Sequence, residues 1–185
     1  MTKITKNNKL KLEIVKELRN KTVLITGGGG SIGTALTKNI LKYPIKQVRV
    51  IDIDEHALFS LGRVTKNHPK LRLLLGSILD KDRLEMACNN VDIIIHLAAI
   101  KNIEISEFNP IETIDTNING IVNLMKIIMK TKPKKFLNLS GDIILFCKKN
   151  NIELEIANEC TIGDKMFHSY RRDKTSLRQV STVWM

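Results

Sequence analysis

Gly27, Gly30 and Gly33 fall at every third residue of Thr22-Val-Leu-Ile-Thr-Gly-Gly-Gly-Gly-Ser-Ile-Gly33, and Ala35, Leu36 and Ile40 follow at helical spacing. An apolar run that breaks into glycines and reopens as a helix offers an anion unpaired N–H groups and the positive end of a helix dipole. The chemistry it suits is holding the pyrophosphate of a dinucleotide. Each glycine has an expected role, with a tight turn at Gly27, close backbone approach to phosphate at Gly30, and close helix-on-strand packing at Gly33. A flexible glycine loop is the plainer alternative.

A second element bears on the choice. Val48-Arg-Val-Ile-Asp52 reads as a buried strand ending on an acid. It lies about 20 residues past the glycines, where a carboxylate accepts hydrogen bonds from an adenosine ribose. Asp52 there favours NAD, with NADP the alternative, because a 2′-phosphate would meet a like charge. Asp54 and Glu55 follow, so Asp52 could equally serve as a solvated turn residue or helix cap. Asp54 is expected to cap the next helix with Glu55 in its first turn.

The elements that position these residues continue the alternation. Leu71–Leu75 reads as a third strand, Asp80 to Cys88 as a short helix, Val91–His96 as a fourth strand, Ile111 to Met129 as a long amphipathic helix and Phe136–Ser140 as a fifth strand. Near-continuous apolar strands separated by helices imply an α/β, Rossmann-like, doubly wound parallel sheet covered on both faces. Ligands of such sheets sit beyond the carboxyl ends of the strands. The loops to inspect are therefore Gly27 to Ile32, Asp52, Ser77, His96 to Lys101, and Ser140 to Asp142.

Thr26-Gly27-x-x-Gly30-x-x-Gly33 resembles the TGxxGxxG signature of extended short-chain dehydrogenases/reductases. His96-Leu-Ala-Ala-Ile-Lys101, Glu107-Phe-Asn-Pro110, Thr116-Asn117-x-x-Gly120 and Lys135-Phe-Leu-Asn-Leu-Ser140 are similar to the nucleotide-sugar 4,6-dehydratase branch, which includes UDP-N-acetylglucosamine dehydratases and CapD-like proteins of surface polysaccharide biosynthesis. The similarity spans roughly residues 12–142. It implies oxidation at a sugar C4 by bound NAD(P)+, loss of water across C5 and C6, and return of hydride to C6, with a UDP-sugar such as UDP-N-acetylglucosamine as substrate.

The resemblance also assigns residues. Thr26, Gly27, Gly30, Ser31, Ile32, Gly33, Asp52, Ser77, Ile78, Ala98, Ala99 and Asn117 are the expected cofactor set, and Ser140, Asp142 and Lys101 the expected catalytic set. Ala98 and Ala99 would form a thin wall beside the cofactor, or be ordinary core alanines. Lys101 would face the pocket, or be a surface lysine. Asn117, on the long helix, would anchor backbone beside the site, or be a satisfied polar helix position. Ser140 stands where the branch hydrogen-bonds the sugar C4 oxygen. Asp142 stands where it places the general acid, whose pKa must rise toward neutrality. His96, flanked by apolar residues, is better read as a hydrogen-bonded core histidine than as a base or metal ligand.

Departures from the branch are equally visible. Ser140-Gly141-Asp142-Ile143 stands where Ser-Thr-Asp-Lys is usual, so the acid lacks its lysine, and Ser77 replaces the Asp that commonly meets adenine. The family's Tyr/Met-x-x-x-Lys helix is absent from its place. Tyr170-x-x-x-Lys174 comes far downstream and is read as fortuitous. The expected organisation is a basic arm or helix at 1–20, a dinucleotide domain at 21–157 and an irregular tail at 158–185, read as a truncated or frame-shifted end, with a short natural variant the alternative. A chain of this kind is expected to bind NAD and turn over sugar nucleotide poorly.

Composition supplies bounds. Of 185 residues, 30 are Lys or Arg against 19 Asp or Glu, for a net charge of +11, yet the lysines are dispersed and aromatics make up only 4%. A basic nucleic-acid-binding protein is therefore the weaker alternative, and a non-catalytic dinucleotide-binding module the stronger one. Cys88, Cys147 and Cys160 lack metal-ligand spacing, so no metal is expected. No apolar run approaches a membrane span and no signal-like core follows the basic N-terminus, so a cytoplasmic protein is expected, with homo-oligomers compatible.

Overall fold

Thr22–Thr26 forms a strand (β1) in which all five residues are buried. Such a segment has no face to turn to water and belongs inside a sheet covered on both sides. It is flanked in parallel by Gln47–Asp52 (β2) and Ile93–His96 (β4), and Leu71–Leu75 (β3) pairs in parallel with the far side of β2. The order β3-β2-β1-β4 reverses direction between β1 and β4. A crevice therefore opens beyond their carboxyl ends, the place where open parallel sheets bind ligands.

This computed structural model describes residues 6–138, with side chains from residue 12 onward. Its helices are Lys6–Leu18 (α1), Ser31–Ile40 (α2), Glu55–Val64 (α3), Lys81–Cys88 (α4), Ile103–Phe108 (α5), Pro110–Ile114 (α6) and Gly120–Thr131 (α7). One compact unit runs to Lys134, and Lys135–Asn138 (β5) opens a second unit with alternating half-buried and buried residues. Leu24, Val50, Leu84, Ile94 and Leu124 are wholly buried in the core of the first unit. No helix among the described residues is long and apolar enough to cross a membrane.

The Rossmann-like parallel sheet expected from the apolar runs is present. Asp54 caps α3 by accepting from the Ala57 N–H, with Glu55 in the first turn, and Asp80 caps α4 through the Arg83 N–H. Three boundaries differ from the sequence reading. β4 starts at Ile93 because Val91 is held back in the turn closing α4, its N–H bonding the Cys88 carbonyl. β3 lies at the edge of the sheet with only Leu74 buried, so it is not covered on both faces. The helix expected over 111–129 is α6 and α7 joined by a π-helical turn at Asp115–Asn119, preceded by the unanticipated α5. The expected strand end at Ser140 and the downstream tail lie outside the described residues.

The amino-terminal edge of the sheet is tied by Asp92. Its Oδ2 accepts from the Thr22 N–H at 2.9 Å, its Oδ1 lies 3.5 Å from Lys21 Nζ and 3.6 Å from Lys134 Nζ, and its own carbonyl accepts from the Lys134 N–H at 2.8 Å. Partial burial works against the charge, but the Thr22 N–H and the two lysines outweigh it and hold the carboxyl below its ordinary range. A depressed folded pKa contributes stability that is complete above the unfolded value of about 3.9 and is lost as pH falls through the folded value. Asp92→Asn should therefore lower unfolding free energy at pH 7 by about 1 kcal/mol, the screened worth of a charged hydrogen bond. Urea titrations at pH 7 and under acid should show the gap between the proteins closing in acid.

Candidate functional site

The glycine turn and the end of β4 meet at the crevice. Gly27 has φ +65°, left-handed backbone that side chains disfavour. A Cβ there would also lie 2.6 Å from both Cα and N of Ala98. Gly27 thus makes the tight turn and admits the neighbouring strand's backbone as well. Gly33 does what its spacing implied: a Cβ on it would lie 2.4 Å from the Gly28 Cα, so its absence lets α2 pack on the turn.

Gly30 is different. Its backbone is ordinary, at φ −64° and ψ 171°, and the nearest protein atom to a Cβ built there is the Gly27 carbonyl oxygen at 3.6 Å. Among the described residues nothing demands glycine at this exposed position, and the space beside it is open. Gly30 is also the N-cap of α2 and provides no side-chain cap, and no acid sits in the first turn. Thr34 is the first residue of α2 whose N–H finds a helical acceptor, the Gly30 carbonyl at 2.8 Å. Among the described residues, the N–H groups of Ser31, Ile32 and Gly33 have no acceptor. Three donors without acceptors at a helix start, with the positive dipole end behind them, are able to receive an anion.

Asp52 stands beside this opening. Its Oδ2 accepts from the Gly29 N–H at 2.8 Å and its Oδ1 from the Asp54 N–H at 3.1 Å. The turn-forming role weighed for it is therefore real. A carboxylate has about four acceptor positions, so about two remain open. Ser77 accepts from the Leu79 N–H at 3.1 Å and shapes the loop after β3. The Ile78 side chain packs against Gly120, where a Cβ would come within 2.4 Å of Ile78 Cδ1, and Asn123 holds the Ile78 carbonyl.

On the other wall, the backbone is fixed by buried polar groups. Thr26 is wholly buried, shares a 2.6 Å hydrogen bond with His96 Nδ1, and accepts from the Ala98 N–H at 3.4 Å. Burial first, and then repulsion from Lys101, push the His96 imidazole down to about 4. It is neutral at physiological pH and is a hydrogen-bonded core histidine. Asn117, in the π-helical turn, clamps Ile100 from both sides: its Oδ1 accepts from the Ile100 N–H at 2.8 Å and its Nδ2 donates to the Ile100 carbonyl at 2.9 Å. π turns of this kind recur at functional sites. Ala99 and Lys101 are exposed on the loop so held, and partial desolvation lowers the Lys101 ammonium from its ordinary value. Ser140 and Asp142, like Tyr170 and Lys174, lie outside the described residues.

The structure thus brings Gly27 to Gly33, Asp52, Ala98 and the Asn117 clamp to the carboxyl ends of three adjacent strands. The sequence reading missed the Asp52–Gly29 bond and the Thr26–His96 pair. The first was unreadable because local spacing does not show a contact between two loops. The second had a signal, a polar residue ending each of two buried strands.

Comparison with known proteins gives the same picture. Residues 23–149 match the family described as polysaccharide biosynthesis protein. The chain is 43% identical over 124 residues to a Methanocaldococcus jannaschii protein named uncharacterized membrane protein MJ1061, covering 67% of this chain and 37% of that one. It is 40% identical over 123 residues to a Campylobacter jejuni UDP-N-acetylglucosamine 4,6-dehydratase (inverting), covering 66% and 36%. The structure of DesIV, a dTDP-glucose 4,6-dehydratase from Streptomyces venezuelae with NAD and TYD bound, superposes with TM-score 0.58 at 26% identity, over 62% of this chain and 38% of that one. The chain therefore spans little more than a third of these relatives' lengths, and within that span its glycine turn, parallel sheet and sequence make it a member of the polysaccharide biosynthesis protein family.

Proposed function

We propose that the chain holds NAD and serves a nucleotide-sugar 4,6-dehydratase or epimerase reaction of surface polysaccharide biosynthesis. The observation that carries this reading is the uncapped start of α2, where among the described residues the space beside Gly30 is open and the N–H groups of Ser31, Ile32 and Gly33 lack acceptors. The dehydratase relative and the NAD-bound DesIV structure support it. In this reading Ser31, Ile32 and Gly33 donate their N–H groups to the pyrophosphate, Asp52 accepts from the adenosine ribose, and Ser77 and Ile78 border the adenine. Ala98 keeps the nicotinamide side thin, and Asn117 holds the Ile100 loop in place.

Bound NAD would supply the hydride acceptor and donor. The chain's own groups would do the rest, with a UDP-sugar such as UDP-N-acetylglucosamine as substrate. Ser140 would hydrogen-bond the sugar C4 oxygen and Asp142 would protonate the departing C6 hydroxyl. Lys101, on the exposed loop and with its proton held less tightly than usual, would hold a hydroxyl or anionic group of the substrate. Without a lysine after Asp142, that acid has less to keep it in place, so slow turnover by this chain is part of the reading.

Gly30→Val should leave the fold and its thermal midpoint nearly unchanged, since the space is open, and weaken NAD binding at least roughly a hundredfold, about 2.7 kcal/mol. Calorimetric titration checks it, and unchanged affinity would remove the site. Asp52→Ala should weaken NAD several-fold while NADP affinity holds or improves. Titrations with both dinucleotides decide this, and a larger loss for NADP would mean that Asp52 does not meet the ribose.

A further inference from the structure

A dinucleotide whose ribose meets Asp52 brings its purine to the loop that follows β3. The Gly76 N–H donates to the Asp52 carbonyl at 2.9 Å, so this loop starts at the backbone of that acid. Ile53 and Leu79 stand exposed beside it, and apolar side chains receive the face of one purine as readily as another, because apolar contact has no direction. Discrimination between bases therefore falls to the polar edge of residues 76–79.

That edge is short of acceptors. The Leu75 carbonyl accepts from Arg83 Nε at 2.9 Å, and the Ser77 carbonyl from the Asp80 N–H at 3.2 Å. The Ile78 and Leu79 carbonyls face Asn123 Nδ2 at 3.4 and 3.3 Å. Asp80 spends its Oδ1 on the Arg83 N–H as the cap of α4. Among the described residues, only the Gly76 carbonyl of this stretch is left without a donor. Donors are more plentiful. The N–H groups of Ser77 and Ile78 have no acceptor among the described residues. The Ser77 hydroxyl oxygen accepts from the Leu79 N–H at 3.1 Å, which leaves its hydrogen free to be given.

Adenine carries on C6 an amino group, which donates, beside N1, which accepts. Hypoxanthine carries on C6 an oxygen, which accepts, beside an N1–H, which donates. An amino group needs an acceptor opposite it, and an oxo group needs a donor. We propose that this loop admits a 6-oxopurine dinucleotide at least as well as NAD, and that Ser77 sets the tolerance. A hydroxyl donates or accepts as the base requires, whereas a carboxylate in its place only accepts. The inference rests on the reading that the glycine turn and Asp52 hold a dinucleotide, and adds which bases that dinucleotide carries.

Calorimetric titration of the full chain with NAD and with nicotinamide hypoxanthine dinucleotide tests it. The hypoxanthine dinucleotide should bind within about threefold of NAD or more tightly, and Gly30→Val should weaken both alike. Ser77→Asp keeps an oxygen for the Leu79 N–H, so the turn persists, while its second oxygen accepts from an amino group and repels an oxo group. This variant should favour NAD by roughly tenfold or more, about one hydrogen bond to a charged group. If the unaltered chain binds NAD and holds the hypoxanthine dinucleotide more than about threefold more weakly, the proposal falls. A folded Ser77→Asp variant that treats the two dinucleotides alike would overturn the role of Ser77. Binding of neither by the unaltered chain would remove the dinucleotide reading itself, and the proposal with it.

Discussion

Gly27 and the backbone of Ala98 lie so close that a single methyl group between them is excluded, and the rest of the site is arranged around that contact. The contact closes the gap between β1 and β4 at the point where strand order reverses. The glycine turn and the His96-to-Lys101 loop thereby become two walls of one crevice. Thr26 and His96 hold the wall from below with a hydrogen bond inside the core, and Asn117 holds it from above by clamping Ile100. Neutral His96 suits this position, because an imidazolium there would be a buried charge facing Lys101.

The chain treats the start of α2 differently from the starts of α3, α4 and α5. Asp54, Asp80 and Asn102 satisfy an N–H at those three helices with a side chain. At α2 the cap is Gly30, which has no side chain to offer, and the roughly few tenths of a kcal/mol that a side-chain cap contributes over glycine is forgone. Asp52 is turned to the same end, since one of its oxygens fixes Gly29 and so fixes the direction in which the free N–H groups point.

Much of this is legible in the order of residues. Val23-Leu-Ile25 reads as a buried strand, Gly33 as a helix-packing glycine and Asp54 as a helix cap, because each follows from a local rule of burial or capping. The π turn at Asp115–Asn119 was not legible, since the apolar residues Ile111, Ile114, Ile118, Ile121 and Met125 keep an ordinary three-or-four spacing across it and no residue type there marks an i→i+5 bond. Nor was α5, whose apolar residues Ile103, Ile105 and Phe108 are all exposed and follow no burial pattern. The candidate site divides along the same line. Its glycines and Asp52 were readable from spacing, whereas the bonds joining Asp52 to Gly29 and Asn117 to Ile100 link segments distant in sequence. Ser140 and Asp142 rest on resemblance alone.

Backbone amide hydrogen exchange of the full chain, with and without NAD, tests most directly the claim that the crevice between β1 and β4 is built for a dinucleotide. NAD should slow exchange at Ser31, Ile32 and Gly33, the amides left without acceptors, and along Ala98 to Lys101, while the already protected β1 core stays unchanged. Exchange at Ser31 to Gly33 that is indifferent to saturating NAD, or protection confined to surfaces remote from the glycine turn, would contradict it.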